Sequence, residues 1–222
     1  MTTVAPPIVV PILAIPLGIV PLPDAETQNP ALAALFAARM RTDAPAPNRN
    51  PLCYHSRDDL LEWPEEPLRQ LTAAIFRGVN SVVGAVNDFT QAKLDSFAVQ
   101  ARGWFTVVAE NGHVPATLHP LTAWCGIYCV AAPEPSATRA DSGLLRLYES
   151  RLGTMFADAT NAAMRMPFTP GHYGWRPVPG QMAVFPASLT HEIALVRSPG
   201  QLVLVTVRVR FVAPGQQGVA RW

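Results

Sequence analysis

Residues 111–130, NGHVPATLHPLTAWCGIYCV, decide how this chain is read. They hold two of its five histidines, His113 and His119. A histidine followed by proline, then Cys125-Gly126 and a β-branched and aromatic run, is the pattern of a chain entering and following a barrel strand. About seventy residues on, Phe185-Pro186-Ala187-Ser188-Leu189-Thr190-His191-Glu192-Ile193 again sets a histidine beside a β-type run. Imidazole is the commonest metal ligand and is neutral near pH 7. Two such histidines, distant in sequence, can converge on one ion inside a barrel.

Outward from that stretch the second half of the chain reads as short strands. They fall at residues 97–108, 123–132, 143–148, 181–185, 191–197 and 202–212. Ser198-Pro199-Gly200 reads as a hairpin turn between the last two, and residues 133–142 read as a polar hairpin loop. Residues 153–174 have no clear period and are expected to form a functional loop or lid. The first half differs. Leu32, Leu35, Phe36 and Met40 recur at helical spacing, with Asn29 as cap and Pro30 in the first turn of a helix over 29–41. Leu68, Leu71, Ile75, Val79, Val82, Val83 and Val86 make one apolar stripe over 65–87, expected to pack on a sheet.

Residues 4–23 are nearly all apolar, yet they contain Pro6, Pro7, Pro11, Pro16, Pro21 and Pro23 and follow no basic residue. Those prolines exclude a spanning helix, and the charge expected of a signal peptide is missing. Extended edge strands or polyproline-like segments fit better. At 222 residues the chain suits one domain, with residues 1–92 as N-terminal strands and helices and 93–222 as the barrel core. A hydrophobic content of 49% excludes disorder, and a net charge of +1 without a basic tract excludes an electrostatic nucleic-acid surface. Three cysteines point to a reducing, cytoplasmic setting. Cys125 and Cys129 share a strand face roughly 13 Å apart, at about 3.3 Å per residue, too far for one zinc ion or a disulfide. They are expected to fill the core.

The order and spacing of these segments resemble the 2-oxoglutarate/Fe(II) oxygenases related to prolyl hydroxylases. Trp104–Val108 resembles that family's tryptophan strand. Residues 112–130 resemble its His-x-His-Pro…Ser-Gly-x-x-Tyr stretch. Glu149-Ser150-Arg151 stands where the family has Asp-Pro-Arg. Pro177-Val-Pro-Gly180, Phe185-Pro186 and His191 resemble its last segment. The resemblance implies a mainly β, α+β fold: a double-stranded β-helix, a cupin-like jelly roll with N-terminal helices on one face. It implies an Fe(II) enzyme that uses 2-oxoglutarate and dioxygen to oxidise a small-molecule or amino-acid-like substrate.

On this resemblance His119 and His191 are the metal ligands. The family's first histidine is Thr117 here, and threonine is a poor Fe(II) ligand; His113, Asn111 and Glu149 are the substitutes to consider. The arginine that would hold the far carboxylate of 2-oxoglutarate is Leu202 by spacing. Arg197 in the hairpin, Arg208 about 20 Å further along the strand, Arg146 and Arg102 are the alternatives, with Tyr128 also at the co-substrate. The family's second tyrosine is Cys129. Trp124, His172, Tyr173 and Trp175 are candidates for substrate contact, and His55 for the entrance. Two other readings stand beside this one: a metal-dependent, cupin-like oxidase that does not use 2-oxoglutarate, and a degenerate barrel that only binds a ligand. No nucleic-acid or membrane partner is expected; a homodimer is compatible with the sequence.

Overall fold

The computed structural model describes residues 14–46, 50–148, 164, 166–167 and 171–215. Two long helices, α1 (Ala25–Thr42) and α2 (Glu66–Asn87), and the short α3 (Gln91–Asp95) all precede residue 96. Among the described residues there are ten strands: β1 (Gly18–Pro21), β2 (Cys53–His55), β3 (Ala98–Ala109), β4 (Val114–Thr117), β5 (Trp124–Ala131), β6 (Leu145–Tyr148), β7 (His172–Trp175), β8 (Gln181–Pro186), β9 (His191–Ile193) and β10 (Gln201–Val212). They form a six-stranded sheet, ordered β1-β8-β5-β10-β3-β2, and a four-stranded sheet, ordered β4-β9-β6-β7. All pairings within these sheets are antiparallel. From β3 to β6, and again from β8 to β10, successive strands alternate between the sheets. This is a double-stranded β-helix.

The sequence explains the layering. On β10, Val203, Val205, Val207 and Val209 pack with the helices, whereas Leu202 and Leu204 pack inside the barrel. A strand buried on both faces reads as a continuous apolar run, which is why residues 202–212 barely alternate. The α2 stripe supplies the helical side of that layer through Leu68, Leu71, Ile75, Val79 and Val83, all buried. Burying each is worth about 1.5–3 kcal/mol. Gly18–Pro21, near the end of the apolar N-terminal stretch, forms the edge strand β1, paired to β8. Gly18 permits this, because a Cβ there would lie 2.4 Å from Val82 Cγ2 on α2.

Three expectations need correction. The first helix begins at Ala25, not at Asn29, and Pro30 lies inside it. Asn29 is therefore no cap; it is buried, and its Oδ1 accepts a 2.7 Å hydrogen bond from Tyr128 Oη. Residues 191–197 and 202–212 do not form a hairpin: β9 pairs with β4 and β6 in the small sheet, and β10 pairs with β3 and β5 in the large one. Residues 133–142 likewise carry the chain from β5 to β6 across the sheets. A turn signal marks where a strand ends, but not which strand pairs next. Most of the expected lid, and Glu149, lie outside the described residues.

Candidate metal centre

His119 and His191 meet at one end of the barrel, their ring centroids 5.1 Å apart. Main-chain bonds bring them together. Thr117 on β4 pairs with His191 on β9. The His119 N–H donates to Ala187 O at 3.0 Å, and the Ala187 N–H donates to Ala123 O at 3.0 Å. The chain turns sharply after His119, with Leu121 at φ 66°.

The two imidazoles have defined donor atoms. His191 Nδ1 lies 3.0 Å from Leu189 O. A carbonyl only accepts, so Nδ1 carries the proton and Nε2 keeps a free lone pair. His119 Nε2 is buried without a hydrogen-bond partner. A buried polar atom left in this way calls for a water, a ligand or an ion. Burial holds the His119 pKa down to about 4, helped by the neighbouring His191, Arg208 and His55. Burial also lowers that of His191, against the opposing effect of its bond to Leu189. Both rings are thus neutral near pH 7, the form that binds metal.

Sequence reasoning set Cys125 aside as core filling, and the structure corrects this. Among the described residues, His119, Cys125 and His191 gather their donor atoms within 4.8 Å of one another. Cys125 faces inward from β5 with Ile127 and Cys129. The 13 Å spacing separates it from Cys129, but not from histidines on other strands. The carboxylate beside His191 is not part of this group. Glu192 accepts from Arg146 at 3.0 Å and from Tyr148 Oη at 2.7 Å.

A cavity of about 750 Å³ opens in front of the histidines. His55, Trp104, Thr117, His119, His191 and Arg208 are among the residues that line it. That volume suits a small organic ligand. Arg208 lies 5.8 Å over the Trp104 ring and donates to Asp58 Oδ2 at 2.9 Å. His55 comes from β2, and its Nδ1 is 3.2 Å from Thr106 Oγ1.

Other sequence candidates stand apart from this cavity. His113 is exposed, with Asn50 Nδ2 3.1 Å from its Nδ1. Arg197 binds Asn111 Oδ1 at 3.1 Å and does not line the cavity. Arg102 is paired with Glu62 at 2.6 Å. Tyr128 and Trp124 lie on the helix-facing side of β5, opposite Cys125, because side chains alternate along a strand. His172 stacks near Tyr148 at 5.6 Å, Tyr173 is exposed, and Trp175 is buried in the barrel core.

Known proteins resemble this chain in part of its sequence and in its fold. Residues 102–204 match the family described as "Putative 2OG-Fe(II) oxygenase". That stretch carries both histidines. A Pseudomonas putida prolyl-4-hydroxylase has the same fold at 15% identity and a TM-score of 0.56, covering 90% of this chain and 93% of that one. HygX from Streptomyces hygroscopicus, solved with nickel and 2-oxoglutarate bound, matches at 8% identity and a TM-score of 0.56, over 89% and 83% of the two chains. The 2-oxoglutarate-dependent epimerase SnoN of nogalamycin biosynthesis matches at 9% identity and 0.58, over 91% and 87%. No curated protein matches the sequence. Among the described residues no helix is long and apolar enough to cross a membrane.

Proposed function

We propose that this chain is an oxygenase that holds Fe(II) through His119 and His191 and uses 2-oxoglutarate and dioxygen to oxidise a small-molecule substrate admitted through the cavity. The observation that carries this is the buried His119 Nε2, which has no partner and lies beside a second neutral imidazole. The residues fit the ion, since imidazole is a suitable iron donor. Bound Fe(II) would supply the activation of dioxygen that no side chain can provide. The chain's own residues do the rest. Leu189 fixes the His191 ring, and Ala187 fixes the His119 main chain. Trp104 and Ile127 contribute apolar walls to the cavity.

Arg208 is the residue we assign to the far carboxylate of the co-substrate. It lines the cavity, and an arginine fork binds a carboxylate through two N–H donors. Leu202, at the family's arginine position, is 2% exposed and sits in the apolar interior. The same buried leucine motivates a second reading, in which the metal is kept and another reductant replaces 2-oxoglutarate. The test is succinate release from 2-oxoglutarate by purified protein supplied with Fe(II), together with its iron content. Both are expected in wild type and absent in His191→Ala. A folded wild type that binds iron but releases no succinate would favour the second reading, and one that binds no iron would end both. Residence in the cytoplasm and a single functional unit spanning the whole chain, including residues 1–92, form part of this proposal.

A further inference from the structure

We infer that Cys125 is the third protein ligand of this metal, giving a two-histidine, one-thiolate site; the inference rests on the reading that His119 and His191 bind the ion. The first ground is position. One ion holds nitrogen and sulfur donors at about 2.1 and 2.3 Å, so such donors lie no more than about 4.4 Å apart. The Cys125 Sγ and the two imidazole nitrogens all lie within 4.8 Å of one another, so small side-chain rotations bring them onto one ion.

The second ground is the absence of a competing donor. Among the described residues, no Asp or Glu joins this group. Glu192 and Asp58 line the cavity, but Glu192 is bonded to Arg146 and Tyr148, and Asp58 to Arg208. Thr117 offers only a hydroxyl, 3.4 Å from Leu118 O. The third ground is burial. Cys125 is fully buried and is not among the residues that line the cavity, whereas both histidines are. A ligand supplied from the buried interior leaves the cavity to co-substrate and substrate. As the metal–sulfur bond forms, the thiol proton leaves to solvent, so the site takes up a divalent ion and releases one proton from Cys125.

Co(II) substitution reads this directly. Wild type loaded with Co(II) is expected to show a sulfur-to-cobalt charge-transfer band in the near ultraviolet as well as the weaker visible ligand-field bands. Cys125→Ser is expected to lose the first and keep the second, and Cys129→Ser to keep both. The Zn(II) affinity of Cys125→Ser should fall by more than about 100-fold, beyond the 10–100-fold typical of a residue that only orients a ligand. Identical spectra in wild type and Cys125→Ser would overturn the thiolate and leave the two histidines standing. No bound Co(II) in wild type would overturn the parent reading instead. If Cys125→Ser does not fold, the wild-type and Cys129→Ser spectra decide alone: the band in both supports the inference, and its absence from both sinks it.

Discussion

The two ends of β10 share a strand, a sheet and a face, yet they have opposite chemistry. At one end Leu202 packs with Leu145, Cys129 and Val196 in an apolar interior, and Leu204 borders both that interior and the cavity. At the other, Thr206 and Arg208 line the cavity beside Trp104, His119 and His191. Six residues along one strand separate a closed, hydrocarbon-filled end from an open, polar one. A barrel interior can be packed or can hold a ligand, and here the division falls between Leu202 and Leu204. Any carboxylate drawn to this interior has its cation at the open end.

The sharpest way to break the contrast is to place a charge at the closed end. Leu202→Arg places an arginine where the resemblance to 2-oxoglutarate oxygenases would have one, but it buries a cation in an apolar interior. Leaving a buried charge unpaired costs about 3–5 kcal/mol. Urea unfolding should show a loss of that size, and an unchanged midpoint would mean that the closed end is roomier than described. The complementary change is Arg208→Met. Removing a charge-assisted contact to a carboxylate costs about 1.5–3 kcal/mol, or about 10–150-fold in affinity. The 2-oxoglutarate concentration for half-maximal rate should rise by that factor while kcat changes little. A kcat-only effect would take Arg208 out of co-substrate binding.

The smallest effect expected is on the pH dependence of stability. His119 has a folded-state pKa of about 4, below the ordinary 6.5 of histidine. The unfolded chain therefore takes up this proton first as pH falls. Stability of the metal-free protein is unaffected by this group above pH 6.5, declines from 6.5 towards 4, and levels off below that. His119→Gln should flatten that part of the Tm–pH curve. Equal slopes in the two proteins would show that the ring is better solvated than its surroundings suggest.

Much of the fold was legible because strands and helices leave local marks. The α2 stripe, the tryptophan strand and the runs after Gln181 and Gln201 all lie where periodicity and punctuation put them. Pairing was not legible, because Ser198-Pro199-Gly200 looks the same whether the chain folds back or crosses to the other sheet. The histidine pair was legible from its neighbouring residues through the family resemblance. Arg208 was named, but only the cavity's position selects it over Arg197. Tyr128 looked like a site residue from its motif. Its parity with Val130, both opposite Cys125, turns it toward α1, where Asn29 receives it. Cys125 was missed because the informative distance ran across the barrel to the turn holding His119, and a sequence shows only distances along a strand.

The stitch between the two histidine segments is made of main chain: the Thr117–His191 pairing, the His119 N–H to Ala187 O, and the Ala187 N–H to Ala123 O. None of these bonds depends on a side chain. Substitution at Thr117 or Cys125 can therefore add or remove a donor without moving the frame that presents it. The scaffold behaves as a socket whose wiring is interchangeable, so a lineage carrying it can change metal preference or chemistry one residue at a time while the fold stays in place.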